Sequence, residues 1–483
     1  MAGLRHLVKA EYEGLRPKIR VLARDSKRNH RKLAPYQARG VEVIWGNLVN
    51  AADVARGVAG ADVVLHVGGM VSPLADHYPE LTYKVNTTAM RNIIKAVEAE
   101  QSGGRRVKVV YIGSVSQYGN RPEGAHWGRT GDPISVAAYD RYAHSKAVAE
   151  RMLVESGVRE WVSLRQTGIM YPGIFMKASD PISFHVPIRG ALEWVTSDDS
   201  GRLLAAVCNP ALPDSFWRRF YNIGGGKDYR LSNYDFIKLS LSSVGCPPPE
   251  RVFERRWFAT RNFHGMWYTD SDHLNDLLHF RSRRSFSQYM AGVKRALPWY
   301  FNLSPLAPAW LIKGLMRLVA NKEGLGTMHW VKSGNADRVF AAFGGIEQFN
   351  RIGGWEQDAG WHMSAAPTRL SHGYDESRPE ERIDIEDVCA AARWRGGRCL
   401  SDHMRPGDLD TPLEWECAEG HRFSLSPRAV LLGGHWCGEC LEAQARDPHA
   451  LYAQADRNPF LAQIVHPAEA PHEAPAPAHS NNS

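Results

Sequence analysis

No stretch of the chain runs for about 18 uninterrupted apolar residues, so no membrane-spanning helix is expected. No signal peptide is expected either, because the N-terminus moves straight into a charged amphipathic pattern. Charge of one sign is scarce: the formal excess is +7 over 483 residues and is spread along the chain. That could steer an anionic ligand but does not argue for nucleic acid. Cysteine is sparse too, with seven residues, five of them after residue 388, which excludes a disulfide framework and fits a metal site in a reducing compartment. What remains, 43% hydrophobic and 23% charged, is ordinary globular composition, long enough for two or three domains. A cytoplasmic, multidomain protein is expected.

The first 112 residues alternate short β-rich runs with helical patterns. Residues 3–14 predict a helix, Ile19–Arg24 a strand and Val41–Trp45 a second strand; Ala52–Val58 predicts a helix and Asp62–Val67 a third strand. A helix from about Tyr83 to Glu100 and the strand Val107–Ile112 follow. This order predicts a doubly wound α/β domain with a parallel sheet covered on both faces.

Tyr142 and Lys146 stand four apart, which places them one turn apart on one helix face. A lysine ammonium there favours the phenolate and lowers the tyrosine pKa, as suits a residue that passes protons near neutral pH. Around this pair, Gly46-Asn47-Leu48, His66-Val67-Gly68-Gly69, Val85-Asn86 with Arg91–Ile94, Ile112–Gly119, Leu164–Gly173 and Tyr221–Gly226 follow in order. In that order and spacing, over about residues 3–300, the chain resembles an extended short-chain dehydrogenase/reductase of the NAD(P)-dependent epimerase/dehydratase type. The resemblance implies a Rossmann-type fold, with residues 165–300 as the main substrate region. It implies cofactor contacts from Gly3, Arg24, Asn47, Leu48, His66, Val67, Gly68 and Asn86, besides Tyr142 and Lys146. Ser114 would hydrogen-bond the substrate oxygen, Tyr142 would be the general acid/base, and Lys146 would tune it and hold the nicotinamide ribose.

The resemblance also exposes a lack. A dinucleotide fold opens with a strand and a glycine-rich loop that holds the pyrophosphate. Here Met1-Ala2-Gly3 stands directly before the helix that should follow that loop, with Gly3 at its third glycine. The missing first strand is the central one, so the chain is expected to start too late by roughly ten residues. A slot is expected between Ile19–Ala23 and Asp62–Val67, since an unfilled centre leaves two unpaired strand edges.

Arg24, with Lys27 and Arg28 near it, sits where the adenosine ribose would be met and favours the 2′-phosphate of NADP, with NAD as the alternative. Sugar-nucleotide 4,6-dehydratases, which resemble this family, carry an Asp-Glu pair after the catalytic serine or threonine; Val115 and Ser116 stand there, so dehydration is not expected. Oxidoreduction of an alcohol or carbonyl, or epimerisation through a transient ketone, remain open, as does a non-catalytic NADP-binding scaffold. His126 and Arg129, in the loop before the catalytic helix, and Gln166 and Thr167, after the next strand, are candidates for contacting a small-molecule substrate. Phe184–Pro187 and Asn262–Tyr268 read as pocket walls or core. The segment 303–320, within a helical extension at 301–365, reads as a proline-started helix packed on the substrate region. A membrane-surface position is the less favoured alternative, because Gly314 and only two charges make a poor interfacial face.

Residues 366–382 are polar and turn-rich and predict a linker. Residues 383–445 follow as a small module in which Cys417 and His421 form a Cys-x-x-x-His and Cys437 and Cys440 a Cys-x-x-Cys. Four soft or borderline ligands in two close pairs suit tetrahedral zinc in a closed, structural site. With Trp415 and Trp436 beside the pairs, the module resembles zinc-ribbon or treble-clef units. His421 is the expected fourth ligand, with Cys399 or His435 as alternatives. A Pro/Ala-rich tail over 446–483 is expected to be largely disordered. A homodimer is allowed for.

Overall fold

The structure is a computed structural model that describes residues 1–467 apart from residues 73, 178 and 179. The end of the expected tail, from residue 468, lies outside the described residues. The elements that place the site are, in chain order, α1 (Ala2–Leu7), β1 (Arg20–Ala23), α2 (Lys27–Gln37), β2 (Glu42–Trp45), α3 (Ala51–Val58) and β3 (Val63–His66). Next come α4 (Pro79–Ser102), β4 (Lys108–Ser114), α5 (Arg141–Val154), β5 (Glu160–Gln166), α6 (Ser197–Ala206), β6 (Arg219–Ile223) and α7 (Ala309–Ala320). The C-terminal part holds α8 (Ile385–Trp394), β7 (Arg398–Cys399), β8 (Leu413–Glu416), β9 (Arg422–Leu425), α9 (Gly438–Arg446), α10 (Ala450–Ala455) and α11 (Pro459–Val465).

The parallel sheet comes in two pieces. One has the order β6-β5-β4-β3, all parallel; the other is the parallel pair β1-β2. Among the described residues no strand pairs with the second edge of β1 or of β3, which is the interruption expected between Ile19–Ala23 and Asp62–Val67. Helices hold the pieces together: Leu22 of β1, Leu48 after β2 and Val64 of β3 all pack against one core with Val54, Val58, Met90, Ile93 and Val97 of α3 and α4. Asn92 of α4 adds a hydrogen bond to the Leu48 carbonyl at 2.9 Å.

The helix expected over 3–14 stops at Leu7. Glu13 and Gly14 take positive φ, 50° and 80°, and fold Tyr12 back onto Leu15. Conversely, the polar run after β1 continues into α2, which the sequence reading passed over; Ser26 caps it by accepting from the Asn29 N–H at 3.2 Å. Gly3 packs α1 against α6, where a Cβ would lie 2.6 Å from Leu204 Cδ1.

The C-terminal module has an antiparallel sheet of order β7-β8-β9 and is not a detachable appendage. Its Ile383, Val388, Ala391, Trp415, Leu425 and Val430 join the same core as Met90, Val109, Leu153 and Trp161 of the α/β domain. The segment 366–382 is correspondingly not a free linker. His372, fully buried, bonds Asp132 at 2.9 Å and Glu376 at 2.7 Å, and Leu370 is buried beside Ala125, Leu461 and Ile464. The first part of the expected tail is ordered as α10 and α11, because Ala455, Leu461 and Ile464 have that apolar surface to cover.

Candidate active site and metal centre

Ser114 is the last residue of β4, and its hydroxyl accepts from the Ser116 backbone N–H at 3.2 Å and the Ser116 hydroxyl at 2.9 Å. Gln117 closes this turn by accepting from the Ser114 N–H at 2.7 Å. Asp140 caps α5 by accepting from the Ala143 N–H at 2.8 Å, and α5 then presents Tyr142, Lys146 and Glu150 at four-residue intervals on one face. Lys146 is buried and donates to the Ile112 carbonyl of β4 at 2.8 Å, tying the helix to the strand that carries Ser114.

The electrostatics differ from the expected phenolate. Burial pushes the Tyr142 phenol up to about 12, partly offset by the nearby Ser114 hydroxyl. Lys146 does not set that value: its ammonium is 6.0 Å from the Tyr142 ring centroid and is engaged by Ile112. Burial in turn pushes Lys146 down to about 8, against the pull of Glu150. His66, at the end of β3, is driven to about 3 by burial and by Lys146, so it is a neutral imidazole, stacked on Tyr111 at 5.7 Å.

Asn86 acts as a clamp. It accepts from the Met70 N–H at 2.8 Å and donates to the Met70 carbonyl at 3.1 Å and to the Ser145 hydroxyl at 2.9 Å. The loop Val67–Met70 is thereby fixed to α5. Gly68 faces Leu48, where a Cβ would approach Cδ1 to 2.5 Å, and Gly69 sits at φ +156° against Asn86. On the other side of the interruption, Asn47 is exposed after β2, with its N–H held by Asp53 at 2.9 Å; Asp53, on α3, is a shaping residue the sequence reading missed. Arg24, Lys27 and Arg28 are all exposed at the end of β1.

Gln166 ends β5 in register with Ser114, and Thr167 follows it. His126 and Arg129 are instead committed elsewhere. The buried His126 meets the Ser364 carbonyl at 2.8 Å, and Arg129 binds Glu376 and the Leu370 carbonyl, at 2.7 and 3.0 Å, in the strap that was expected to be a linker. Phe184 and His185 are core, against Trp257, Phe258 and Trp330.

One turn beyond Lys146 on α5 lies a buried polar network. Glu150 of α5 pairs with Arg165 of β5 at 2.6 Å, both fully buried, and meets His435 of the C-terminal module at 2.8 Å. Arg165 also donates to Tyr118 at 2.7 Å and to the Gly433 carbonyl at 2.6 Å. Burial would raise the Glu150 carboxyl, but Arg165 and His435 hold it well below the usual carboxylate range. The next residue, Arg151, donates to the Trp436 and Ser424 carbonyls at 3.2 Å.

The module's own cluster is Cys417, His421, Cys437 and Cys440, with all four ligand atoms within 4.8 Å of one another. His421 Nδ1 lies 3.4, 3.5 and 3.6 Å from the sulfurs of Cys417, Cys437 and Cys440, and Cys417 and Cys440 are 3.7 Å apart. A tetrahedral zinc with its usual bond lengths has S···N edges of about 3.5 Å and S···S edges of about 3.8 Å. The fourth position therefore falls to His421. His435 is turned to Glu150, and the Cys399 thiol lies 3.9 Å from the Ser401 carbonyl, apart from the cluster.

The parallel sheet in two pieces, with Ser114 ending β4 and Tyr142 and Lys146 on α5, is a Rossmann-like arrangement. Residues 5–172 match the profile of the NAD dependent epimerase/dehydratase family. Among curated relatives, 3 beta-hydroxysteroid dehydrogenase type 7 of Rattus norvegicus is 32% identical over 145 residues, 30% of this chain and 40% of the relative. The 2-alkyl-3-oxoalkanoate reductase of Shewanella oneidensis is 30% identical over 122 residues, 25% of this chain and 29% of that protein. The chain thus spans at most 40% of the length of these relatives. Among solved structures, a dTDP-glucose 4,6-dehydratase double mutant from Streptomyces venezuelae with NAD bound is 21% identical, with TM-score 0.47, over 62% of this chain and 92% of that one. A UDP-glucose 4-epimerase from Bifidobacterium longum in complex with NAD+ and UDP is 15% identical, with TM-score 0.45, over 63% and 95%.

Proposed function

We propose that the protein is an NADP-dependent oxidoreductase that reduces or oxidises a carbonyl or alcohol group on an apolar small molecule. The observation that carries this reading is the meeting of Ser114, Tyr142 and Lys146 where β4 and α5 converge, with Asn86 locking the adjoining loop. A phenol held near 12 is protonated at neutral pH, which suits donation of a proton to a carbonyl oxygen. Ser114 would hold that oxygen, and the nicotinamide, when bound, supplies or accepts the hydride at the carbon. Val115 and Ser116 after the serine carry no carboxylate for water elimination.

The cofactor fit is partial. Arg24, Lys27, Arg28, Asn47 and Leu48 suit the adenosine end with a 2′-phosphate, and Tyr142, Lys146, His66, Val67 and Gly68 suit the nicotinamide end. No glycine-rich loop for the pyrophosphate is present in this sequence. The apolar substrate class is supported by the exposed Val67, Val71, Leu74, Tyr78 and Leu81 that follow β3, and by the two curated relatives, a hydroxysteroid dehydrogenase and an oxoalkanoate reductase. The cluster Cys417, His421, Cys437 and Cys440 is read as a structural zinc site, closed by four protein ligands.

Steady-state assays with a 2-alkyl-3-oxoalkanoate and a 3-hydroxysteroid test the reading. Net NADPH consumption or NADP reduction, with a lower KM than for the NAD couple, is expected; an epimerised product without net cofactor turnover overturns it.

A further inference from the structure

The packing expected of the 303–320 segment is found on one face only. α7 turns Met316, Val319 and Ala320 inward, onto a core that includes Phe184, Trp257 and Met328. Its opposite face is open: Trp310 is 74% exposed, Leu318 69%, Leu315 57% and Leu311 43%, and Leu306, just before the helix, is 78% exposed. At 100° per residue, Trp310, Gly314, Leu318, Leu311 and Leu315 fall on a continuous apolar arc of about 140°. Lys313 and Arg317 border it on one side. Both cations reach the single carboxylate of Glu254, at 3.5 and 3.4 Å, so that rim keeps net positive charge.

Charge extends beyond the helix. Residues 277–322 contain no aspartate or glutamate and eight arginines or lysines. Of these, Lys294, Arg295, Lys322 and, within α7 itself, Arg317 are exposed. An exposed apolar arc with a cationic border matches a surface of acyl chains under anionic headgroups. A second copy of the chain matches it poorly, because self-association would bring two acid-free cationic segments face to face. No helix among the described residues is long and apolar enough to cross a membrane, so the mode is lateral.

We infer that α7 is a membrane-surface docking element that seats the protein on an anionic lipid bilayer, with Trp310, Leu315 and Leu318 entering the interface. Flotation of the full chain with phosphatidylcholine vesicles, with and without phosphatidylserine, tests this. The wild type is expected to float with the phosphatidylserine vesicles and to be released by high salt, with at least about tenfold less bound to phosphatidylcholine alone. The double variant L315E/L318E, at positions already in water, is expected to keep its circular dichroism and stay at the bottom of the gradient. R317E is expected to lose the preference for anionic vesicles. Wild type that does not float, or that floats as well with L315E/L318E, overturns the inference. Concentration-dependent dimerisation lost in the same variant, without vesicle binding, also overturns it and assigns the face to a second copy.

Discussion

At the scale of single residues, burial has more influence on the site than the Tyr142–Lys146 spacing does. The interval of four correctly puts both on one face of α5, but the spacing carries no information about what surrounds them. Ile112 takes the Lys146 ammonium, and burial acts on both groups, raising the phenol and lowering the amine. Lys146 in the free protein is therefore predicted to titrate near 8, read from the 13Cε shift of labelled lysine, with the signal assigned by its loss in Lys146→Met. A midpoint near the ordinary lysine value of about 10.4 would show that the amine is not buried as described. The same limit explains why His126 and Arg129 were not separable from true substrate contacts: their partners, Ser364 and Glu376, lie more than two hundred residues away.

At the scale of elements, α5 links the two halves of the molecule. Its successive turns carry the proposed catalytic pair and then Glu150, which binds Arg165 and His435. Glu150→Gln leaves the Arg165 guanidinium buried and uncompensated and is predicted to cost about 3–5 kcal/mol in urea unfolding; a loss below about 1 kcal/mol would mean the network is solvated. The pH dependence follows in sign. Glu150 and Glu376 both have folded carboxyls held below the ordinary value, so their contribution is present above the unfolded pKa of about 4.3 and is lost as pH falls below it. Acid is therefore predicted to loosen the C-terminal module, with Trp415 and Trp436 fluorescence reporting the change. The Cys-x-x-x-His and Cys-x-x-Cys spacings were legible in the sequence because metal geometry constrains them locally. The same spacing favours His421 over His435, but the reason His435 stands apart is not local: it is drawn away by a carboxylate 285 residues distant.

At the scale of the whole molecule, the α/β order and the position of the break in the sheet were legible, because strand periodicity and motif order are properties of the chain. The union of the C-terminal module with the α/β core was not. Residues 366–382 have the composition of a linker, yet His372 and Leu370 are buried in the union they help to form. One zinc per chain is predicted by elemental analysis. Cys440→Ser is expected to lose the metal and, because the module shares its core with α4 and α5, to lower the unfolding temperature of the whole chain in one transition. A separate early transition that leaves the α/β domain intact would show two independent units.

The central claim is that Tyr142 donates the proton in a nicotinamide-dependent carbonyl reduction. Its most direct test is transfer of deuterium from NADPH deuterated at the nicotinamide C4 to a 3-oxo substrate, followed by mass spectrometry for wild type and Tyr142→Phe. The account predicts one deuterium in the alcohol product of the wild type and a rate about 10²–10⁴ lower in the variant at unchanged thermal stability. Equal rates in the two proteins, or no deuterium in the wild-type product, would contradict it.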